Sequence, residues 1–205
     1  MPPRPSASVR RPEILTAAVE LLREQGLWSV RVADVAERAH TSAAGVIYYF
    51  GTKHELFRAA IDTADSAFYA ELARELKALP SARARLARLI TGASRTDWVL
   101  WMDLWVYARR HPELRPAQRA FSRRWQETIA AVVRHGAERG EFATADPEAS
   151  AERLAALTSG LAVHLALEEP GHTPEHFVAM ALDGAAAELG CPRRTLRAAA
   201  ARLAP

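Results

Sequence analysis

The stretch 31–57 constrains the fold most, because two short helical patterns follow each other there with only a few residues between them. Thr41 and Ser42 favour caps and turns, which predicts that the first helix ends by His40. Residues 43–50 form a second run that is too short to be a stable helix without packed neighbours. The first helix has apolar residues at i, i+3, i+4 and i+7, the spacing of one buried face: Val32, Val35, Ala36 and Ala39.

A third helix is predicted to begin directly after Gly51. Thr52 and Glu55 have the spacing of a capping box, in which the Thr52 hydroxyl accepts from the Glu55 N–H and the Glu55 carboxylate accepts from the Thr52 N–H. The pattern that follows predicts one long helix from Lys53 to about Leu79. Its apolar face is expected to hold Leu56, Phe57, Ala60, Ala64, Phe68, Leu72 and Leu76.

Two short helices joined by a tight turn are typical of a helix-turn-helix, whose second helix lies in the major groove of DNA. Tyr48 and Tyr49, at the end of the second helix, offer hydroxyls to the sugar-phosphate backbone. Lys53 lies in the first turn of the next helix, where a cation is unfavourable unless a negative group lies opposite. An ordinary helical hairpin fits the same spacing, and the residues alone leave both alternatives open. Small residues at the start of the second helix let its backbone approach base edges: Ser42, Ala43, Ala44 and Gly45.

Residues 10–60 resemble the DNA-binding segment of the TetR family of bacterial transcriptional regulators. The resemblance rests on residues 14–22 (ILTAAVELL), Gly26, residues 32–36 (VADVA), residues 49–53 (YFGTK) and Leu56. It implies an all-α fold, with an N-terminal three-helix helix-turn-helix head and a larger C-terminal helical domain for ligand binding and dimerisation. We place the DNA-binding domain at 1–56 and the C-terminal domain at 57–205.

The resemblance also indicates which residues contact DNA. We expect base-edge contacts from residues 42–45 and Tyr48. The sequence departs from the family at His40, where glycine is usual, and a non-glycine residue there must adopt a strained backbone conformation. Ile47 stands where the family often has tyrosine. The residues expected to contact phosphates are Arg31, Thr41, Tyr49 and Lys53.

Composition excludes several classes of protein. The net charge of +3 permits DNA binding without requiring it, and the single cysteine, Cys191, rules out an intrachain disulfide. No segment reaches the roughly 18 apolar residues of a membrane span, so we expect a soluble, cytoplasmic protein. Prolines at 2, 3 and 5 prevent a helix at the start, and Pro12 is expected in the first turn of the first helix. Arg4, Arg10 and Arg11 form either a basic arm that reaches DNA or part of a frayed terminus.

An aromatic stripe occupies residues 97–110 (DWVLWMDLWVYARR). Trp98, Trp101, Met102 and Trp105 lie at i, i+3, i+4 and i+7, which fits a buried core stripe, or a partly open pocket because buried indole N–H groups need partners. Followed by residues 111–115 (HPELR) and 138–142 (ERGEF), this segment resembles the C-terminal domain of the BetI-like branch of the family, which implies a ligand pocket. An aromatic lining with few charges indicates an apolar or aromatic effector. The expected pocket residues are Phe68, Trp98, Trp101, Met102, Trp105, Phe121, Trp125, Leu161 and His164.

Two further helices are predicted to begin at matching signals, Asp146-Pro147-Glu148 and Thr173-Pro174-Glu175. In the family, two such helices from each subunit form a four-helix dimer interface, and the resemblance implies a homodimer here. The arginine-rich tail from residue 192 is expected to be a solvated terminal helix. The expected interface residues are Leu154, Leu157, Leu161, Leu165, Phe177, Met180, Ala181 and Gly184.

These observations predict a sequence-specific transcriptional regulator, a repressor released from a palindromic double-stranded DNA operator by a small molecule. The alternative is a helical small-molecule or protein-binding module without operator specificity. No nucleophile motif or phosphate-binding loop is present in the sequence, so we expect no enzymatic activity and no cofactor. The cysteine and histidines lack the spacing of metal ligands, and the histidines are scattered over different predicted helices, so we also expect no metal site.

Overall fold

The computed structural model describes residues 7–96 and 98–203, and in these ranges the chain is helical without β-strands. The all-α fold predicted from the sequence is confirmed. None of the described helices combines the length and apolar character that a bilayer crossing requires. The described helices are α1 (Ala7–Ser29), α2 (Val32–Arg38), α3 (Ala43–Phe50), α4 (Lys53–Ala78), α5 (Ala82–Ala93), α6 (Trp98–Arg110), a 3₁₀ turn (Pro112–Leu114), α7 (Arg115–Glu138), α8 (Pro147–Ala166), α9 (Pro174–Glu188) and α10 (Arg193–Ala201).

The chain forms two compact units. The first unit extends to Ala70 and includes Val99–Phe121, and the second comprises Glu71–Trp98 and the chain from Ser122 onward. The domain boundary predicted between residues 56 and 57 marks the end of the DNA-binding segment. It does not coincide with the division between the two compact units, and it stays a prediction.

Helix α1 begins earlier than the sequence suggested. It starts at Ala7, so Pro12 lies inside the helix and not in its first turn. Arg10 donates to the Ala39 carbonyl at 3.3 Å, and the Arg11 guanidinium lies 5.1 Å from the centre of the Phe50 ring. These contacts place Arg10 and Arg11 against the folded head, whereas Arg4 and the prolines at 2, 3 and 5 lie outside the described residues.

Gly26 interrupts α1, and a last helical turn follows it. Its backbone has φ 74° and ψ 167°, a combination that is essentially restricted to glycine. A Cβ at this position would collide with Oδ2 of Asp103 on α6. The same Asp103 carboxylate accepts from the Leu27 N–H at 3.0 Å, so it satisfies a backbone donor at the break.

Helices α2 and α3 end and begin where the sequence predicted. His40 adopts φ +49°, which confirms the strained turn expected from a residue in place of glycine. Only one of the two hydrogen bonds predicted for the capping box at the start of α4 is present. The Thr52 hydroxyl accepts from the Glu55 N–H at 3.1 Å, but the Glu55 carboxylate accepts from Arg58 and the Thr52 N–H donates to the Phe50 carbonyl. A nearby guanidinium is a stronger partner for a carboxylate than a neutral amide.

One residue on the predicted apolar face of α4 is misplaced. Phe68 is 40% exposed, whereas its neighbour Tyr69 is only 6% exposed. A helix has 3.6 residues per turn, so over seven turns a strict spacing of three and four residues drifts away from the buried stripe.

In the second unit, α8 and α9 pack against each other and α9 also contacts α5. Both predicted N-caps are confirmed, since Asp146 accepts from the Ala149 N–H at 3.0 Å and Thr173 accepts from the His176 N–H at 3.2 Å. The tail forms α10. Contrary to expectation, this helix is not fully solvated, because Leu196 is completely buried against this unit. Hydrophobic burial on one face therefore fixes the tail, while Arg197 pairs with Asp183 at 2.8 Å.

Candidate nucleic-acid interface and ligand-binding residues

Helix α3 has one face in the core and one face in solvent. Val46 is completely buried and Phe50 is 8% exposed, so these two residues fix the orientation of the helix. Tyr48 points outward with 83% of its surface exposed, and Ile47 is 39% exposed. The small residues at the start of the helix are also exposed or half-buried: Ser42, Ala43, Ala44 and Gly45.

The start of α3 is held tightly on the preceding turn. Ser42 Oγ accepts from the Gly45 N–H at 3.0 Å and so satisfies one of the free donors of the first turn. A Cβ on Gly45 would lie 2.9 Å from Thr41 Oγ1, so the close approach of helix and turn requires glycine. The Thr41 N–H donates to the Ala36 carbonyl at 2.8 Å. Residues 41–45 therefore form a small, ordered and accessible surface.

Lys53 lies in the first turn of α4 and is half-buried. Its Nζ lies 4.9 Å from the centre of the Phe57 ring. Partial burial lowers the pKa of Lys53, and the carboxylate of Asp34 acts in the opposite direction. Arg31 is exposed at the start of α2, where its N–H donates to Asp34 Oδ2 at 2.7 Å. Tyr49 lies edge-on to Tyr48, with ring centres 5.3 Å apart.

Two of the tryptophans expected in the pocket, Trp98 on α6 and Trp125 on α7, have hydrogen-bond partners for their indole N–H groups. The Trp98 indole N–H donates to the Ala93 carbonyl at 2.8 Å, and the Trp125 indole N–H donates to Thr158 Oγ1 at 3.4 Å. Trp101 stacks on Phe121 with ring centres 3.9 Å apart. The need for indole partners therefore gives no support to an open pocket at Trp98 or Trp125.

The expected pocket residues are divided between the two units. The first unit holds Phe68, Trp101, Met102, Trp105 and Phe121, and the second holds Trp98, Trp125, Leu161 and His164. Met102 and Trp105 are half-buried, and so is Leu161. The His164 side chain is 46% exposed and contacts Glu169.

The second unit contains a large cavity, besides a small one, that sequence reasoning missed. It has a volume of about 580 Å³ and is lined by residues of α5, α9 and α10, among them Arg88, Arg95, Glu175 and Leu182. The smaller cavity, of about 10 Å³, lies beside Trp125 and Thr158, and it has room for about one water molecule. The sequence carried no signal for the larger cavity, because its lining combines α5 with α9 and α10, which lie much further along the chain.

The expected dimer residues have two different environments. Leu154, Phe177 and Ala181 are at most 4% exposed in the single chain, so they pack its own core instead of offering surface to a partner. Met180 is 47% exposed. A Cβ on Gly184 would collide with Leu157 Cδ2, so this glycine permits the close approach of α8 and α9 within one chain. Leu157, Leu161, Leu165 and Gly184 are half-buried.

The structure also brings histidines and glutamates together in two clusters, contrary to our expectation that the histidines form no set of metal ligands. His54, His111 and Glu113 form one cluster, and His164, Glu169 and His172 form another. Spacing offered a signal for the second cluster, because all three residues lie within nine positions of the chain.

Comparison with known proteins identifies the family. The model for "Bacterial regulatory proteins, tetR family" matches residues 14–60. A second model, "BetI-type transcriptional repressor, C-terminal", matches residues 82–190, which is more than half of the chain. The chain belongs to the TetR family of bacterial transcriptional regulators. Both resemblances found in the sequence are therefore confirmed, and the protein is a DNA-binding regulator and not an enzyme.

Individual relatives agree with this assignment. The chain is 32% identical over 173 residues to the transcriptional regulator BetI of Burkholderia thailandensis, covering 78% of this chain and 84% of the relative. It is 27% identical over 175 residues to BetI of Escherichia coli, covering 82% and 87%. Among solved structures, a transcriptional regulator from Saccharomonospora viridis in complex with choline is 28% identical, with a TM-score of 0.78 and coverage of 86% and 95%. A TetR-family regulator from Rhodococcus is 25% identical, with a TM-score of 0.75 and coverage of 88% and 99%.

Proposed function

We propose that this TetR-family regulator is a homodimeric repressor that binds a palindromic operator. The exposed face of α3 carries the proposal, because Tyr48 is 83% exposed at the end of a helix whose other face is fixed in the core. Two such helices related by a two-fold axis match half-sites about one helical turn, roughly 34–36 Å, apart. Residues 42–45 and Tyr48 read base edges, and Arg31, Thr41, Tyr49 and Lys53 hold phosphates.

A mobility-shift titration on the promoter region of the protein's own gene tests the DNA contacts. Tyr49→Ala and Lys53→Ala are each expected to weaken binding, and the loss of the Lys53 contact reduces the slope of log K against log salt by about one. Arg134→Ala is a matched control, since Arg134 is an exposed cation of the second unit that pairs with Glu148. Wild-type affinity in both test variants contradicts the contact assignment. Binding without salt dependence or operator preference favours the alternative, a helical binding module.

We further propose that the effector is a small molecule with an apolar surface that contacts the aromatic side chains of the C-terminal half. The structural relative from Saccharomonospora viridis was solved with choline, whose quaternary ammonium group has an apolar methyl surface and a positive charge. Aromatic faces attract such cations. The half-buried Trp105 and the residues around it are the proposed contacts, which makes a quaternary ammonium compound the first effector to test.

Choline and its uncharged isostere 3,3-dimethyl-1-butanol separate charge from shape. If cation–π attraction dominates, choline quenches tryptophan fluorescence and releases the operator, whereas the isostere does neither at the same concentration. Equal effects of both compounds indicate an apolar effector without a charge requirement. Trp105→Leu is expected to remove the response to choline while operator binding is retained. A full response in Trp105→Leu contradicts the proposed contact.

A further inference from the structure

The loop between α8 and α9 gathers two imidazoles and one carboxylate at a single point. Glu169 Oε2 lies 2.7 Å from His164 Nδ1 and 3.9 Å from His172 Nε2. The rings of His164 and His172 are stacked, with centres 4.6 Å apart and planes inclined by 20°. One ligand atom from each of the three residues lies within 4.8 Å of the other two. These three side chains are called the loop cluster below.

The backbone holds the loop cluster in place. The Glu169 N–H donates to the His164 carbonyl at 3.2 Å, and the His172 N–H donates to the Glu169 carbonyl at 3.0 Å. Glu168 adopts φ +52° and Gly171 adopts φ +85°, so the chain reverses sharply between the two histidines. The three donors therefore converge through a short, hydrogen-bonded turn and need no other element to bring them together.

We propose that the loop cluster binds one divalent transition-metal ion, with Zn²⁺ as the best fit. Two imidazole nitrogens and one carboxylate oxygen are ligands that Zn²⁺ prefers, whereas Ca²⁺ and Mg²⁺ prefer oxygen alone. Zinc bonds of about 2.0–2.2 Å in tetrahedral geometry require ligand atoms about 3.3–3.5 Å apart. The distances from Glu169 Oε2 to the two imidazoles lie on either side of this value, so small side-chain rotations complete the site.

The surroundings of the loop cluster allow an ion to enter from solvent. The side chains of His164, Glu169 and His172 are 46%, 43% and 30% exposed. His176 lies edge-on to His172, with ring centres 5.2 Å apart, and offers a nearby third imidazole as a fourth ligand. A bound ion connects the end of α8 to the start of α9, so it stabilises the turn between the two helices that the dimer proposal uses.

The other histidine cluster is less suited to a metal ion. Its His111 ring stacks on Tyr107 with ring centres 4.0 Å apart, and His54 lies 6.1 Å from the same tyrosine ring. Both imidazoles are thus part of an aromatic packing arrangement in the first unit. This cluster provides a control with the same residue types in a different setting.

Equilibrium dialysis of the full-length, tag-free protein against Zn²⁺, with a chromophoric chelator as competitor, measures the stoichiometry and affinity. We expect one Zn²⁺ per chain in the wild-type protein. His164→Gln and His172→Gln are each expected to weaken binding by at least about tenfold, since even changes behind the ligands of a metal site cost that much. Glu169→Gln tests the carboxylate with almost no change in shape. His135→Gln and His54→Gln are the controls and are expected to bind as wild type.

Thermal unfolding gives a second measurement on the same variants. Saturating Zn²⁺ is expected to raise the unfolding temperature of the wild type and of the controls but not of His164→Gln or His172→Gln, because an ion stabilises only the state that binds it. The partly exposed positions of these residues keep the variants folded, which circular dichroism checks. Absence of stoichiometric binding in the wild type, unchanged affinity in His164→Gln and His172→Gln, or loss of binding in His54→Gln overturns the proposal.

Discussion

The recognition helix α3 and the hairpin of α8 and α9 both expose large side chains, but of different chemistry. In α3 the most exposed one is Tyr48, at 83%, which has an apolar ring and a polar hydroxyl. In the hairpin they are Met180, at 47%, and Leu167, at 58%, which have no polar group. A tyrosine suits the mixed surface of a nucleic acid, whereas an exposed methionine suits another apolar protein surface. This difference supports the proposals that α3 contacts DNA and that the hairpin contacts a second copy of the chain.

The largest expected effect tests whether the exposed face of the hairpin is the dimer interface. Met180→Asp introduces a charge on the exposed hairpin face and is expected to weaken dimerisation by about 100-fold or more, because an uncompensated buried carboxylate costs about 3 kcal/mol or more. Analytical ultracentrifugation measures the dimer, and operator affinity is expected to fall with it. Ala179→Asp is the matched control, since this neighbouring residue is exposed beside the cavity of α5, α9 and α10. An intact dimer in Met180→Asp contradicts the assignment of this face.

A second effect tests the close contact between Gly26 on α1 and Asp103 on α6 within the first unit. Gly26→Ala combines an unfavourable backbone conformation with a collision at Asp103, and we expect it to lower the free energy of unfolding by about 2–4 kcal/mol. Gly140→Ala is the control, because Gly140 has φ +67° but no neighbouring atom within 4 Å of a Cβ. Urea unfolding is expected to show a smaller loss there, of about 1 kcal/mol. Equal losses in both variants show that the collision is relieved by movement of Asp103.

A third, smaller effect concerns the exposed tyrosine. Tyr48→Ala removes a side chain with almost no packing in the free protein, so it is expected to weaken operator binding about tenfold, or about 1.4 kcal/mol, without changing the unfolding temperature. Tyr48→Phe distinguishes the hydroxyl from the ring. A lower unfolding temperature for Tyr48→Ala contradicts the outward position of this residue.

The smallest effect compares the helix caps of the two regions. Ser42→Ala and Thr173→Ala each remove a side-chain acceptor from the first turn of a helix, and each is expected to cost about 1 kcal/mol of stability. Only Ser42→Ala is expected also to weaken DNA binding, because residue 42 belongs to the proposed base-reading surface. The combination of urea unfolding and mobility shift measures both quantities. If Thr173→Ala loses operator affinity at a protein concentration at which all chains are dimeric, the cap at Thr173 is not purely structural, which contradicts the expected difference between the two caps.

Local signals predicted the head well. The ends of α2 and α3 were predicted to within one helical turn from Ser42, His40 and Gly51. Each of these residues acts through its own backbone and its nearest neighbours. The start of α1 was missed, because the helix continues on the N-terminal side of Pro12, where Arg10 and Arg11 contact residues that are distant in the sequence. The role of Glu55 was also missed, because its partner Arg58 competes with the local amide.

The C-terminal half was predicted less completely. Periodicity located α8 and α9, but it did not distinguish the faces buried in the same chain, such as Phe177, from those left exposed, such as Met180. Similarly, the sequence placed Trp98 on one face of the aromatic stripe, while the carbonyl that accepts from its indole N–H lies on another helix.

The sequence by itself determined the family, the ends of α2 and α3, and the caps at Ser42, Asp146 and Thr173, because capping, glycine conformation and apolar spacing act over a few residues of chain. The tertiary structure decided which side chains meet: Asp103 at the Gly26 break, Phe121 on Trp101, and the lining of the cavity between α5, α9 and α10. Such meetings depend on how helices far apart in sequence pack, and helical periodicity fixes the face of a residue but not the neighbour that covers it.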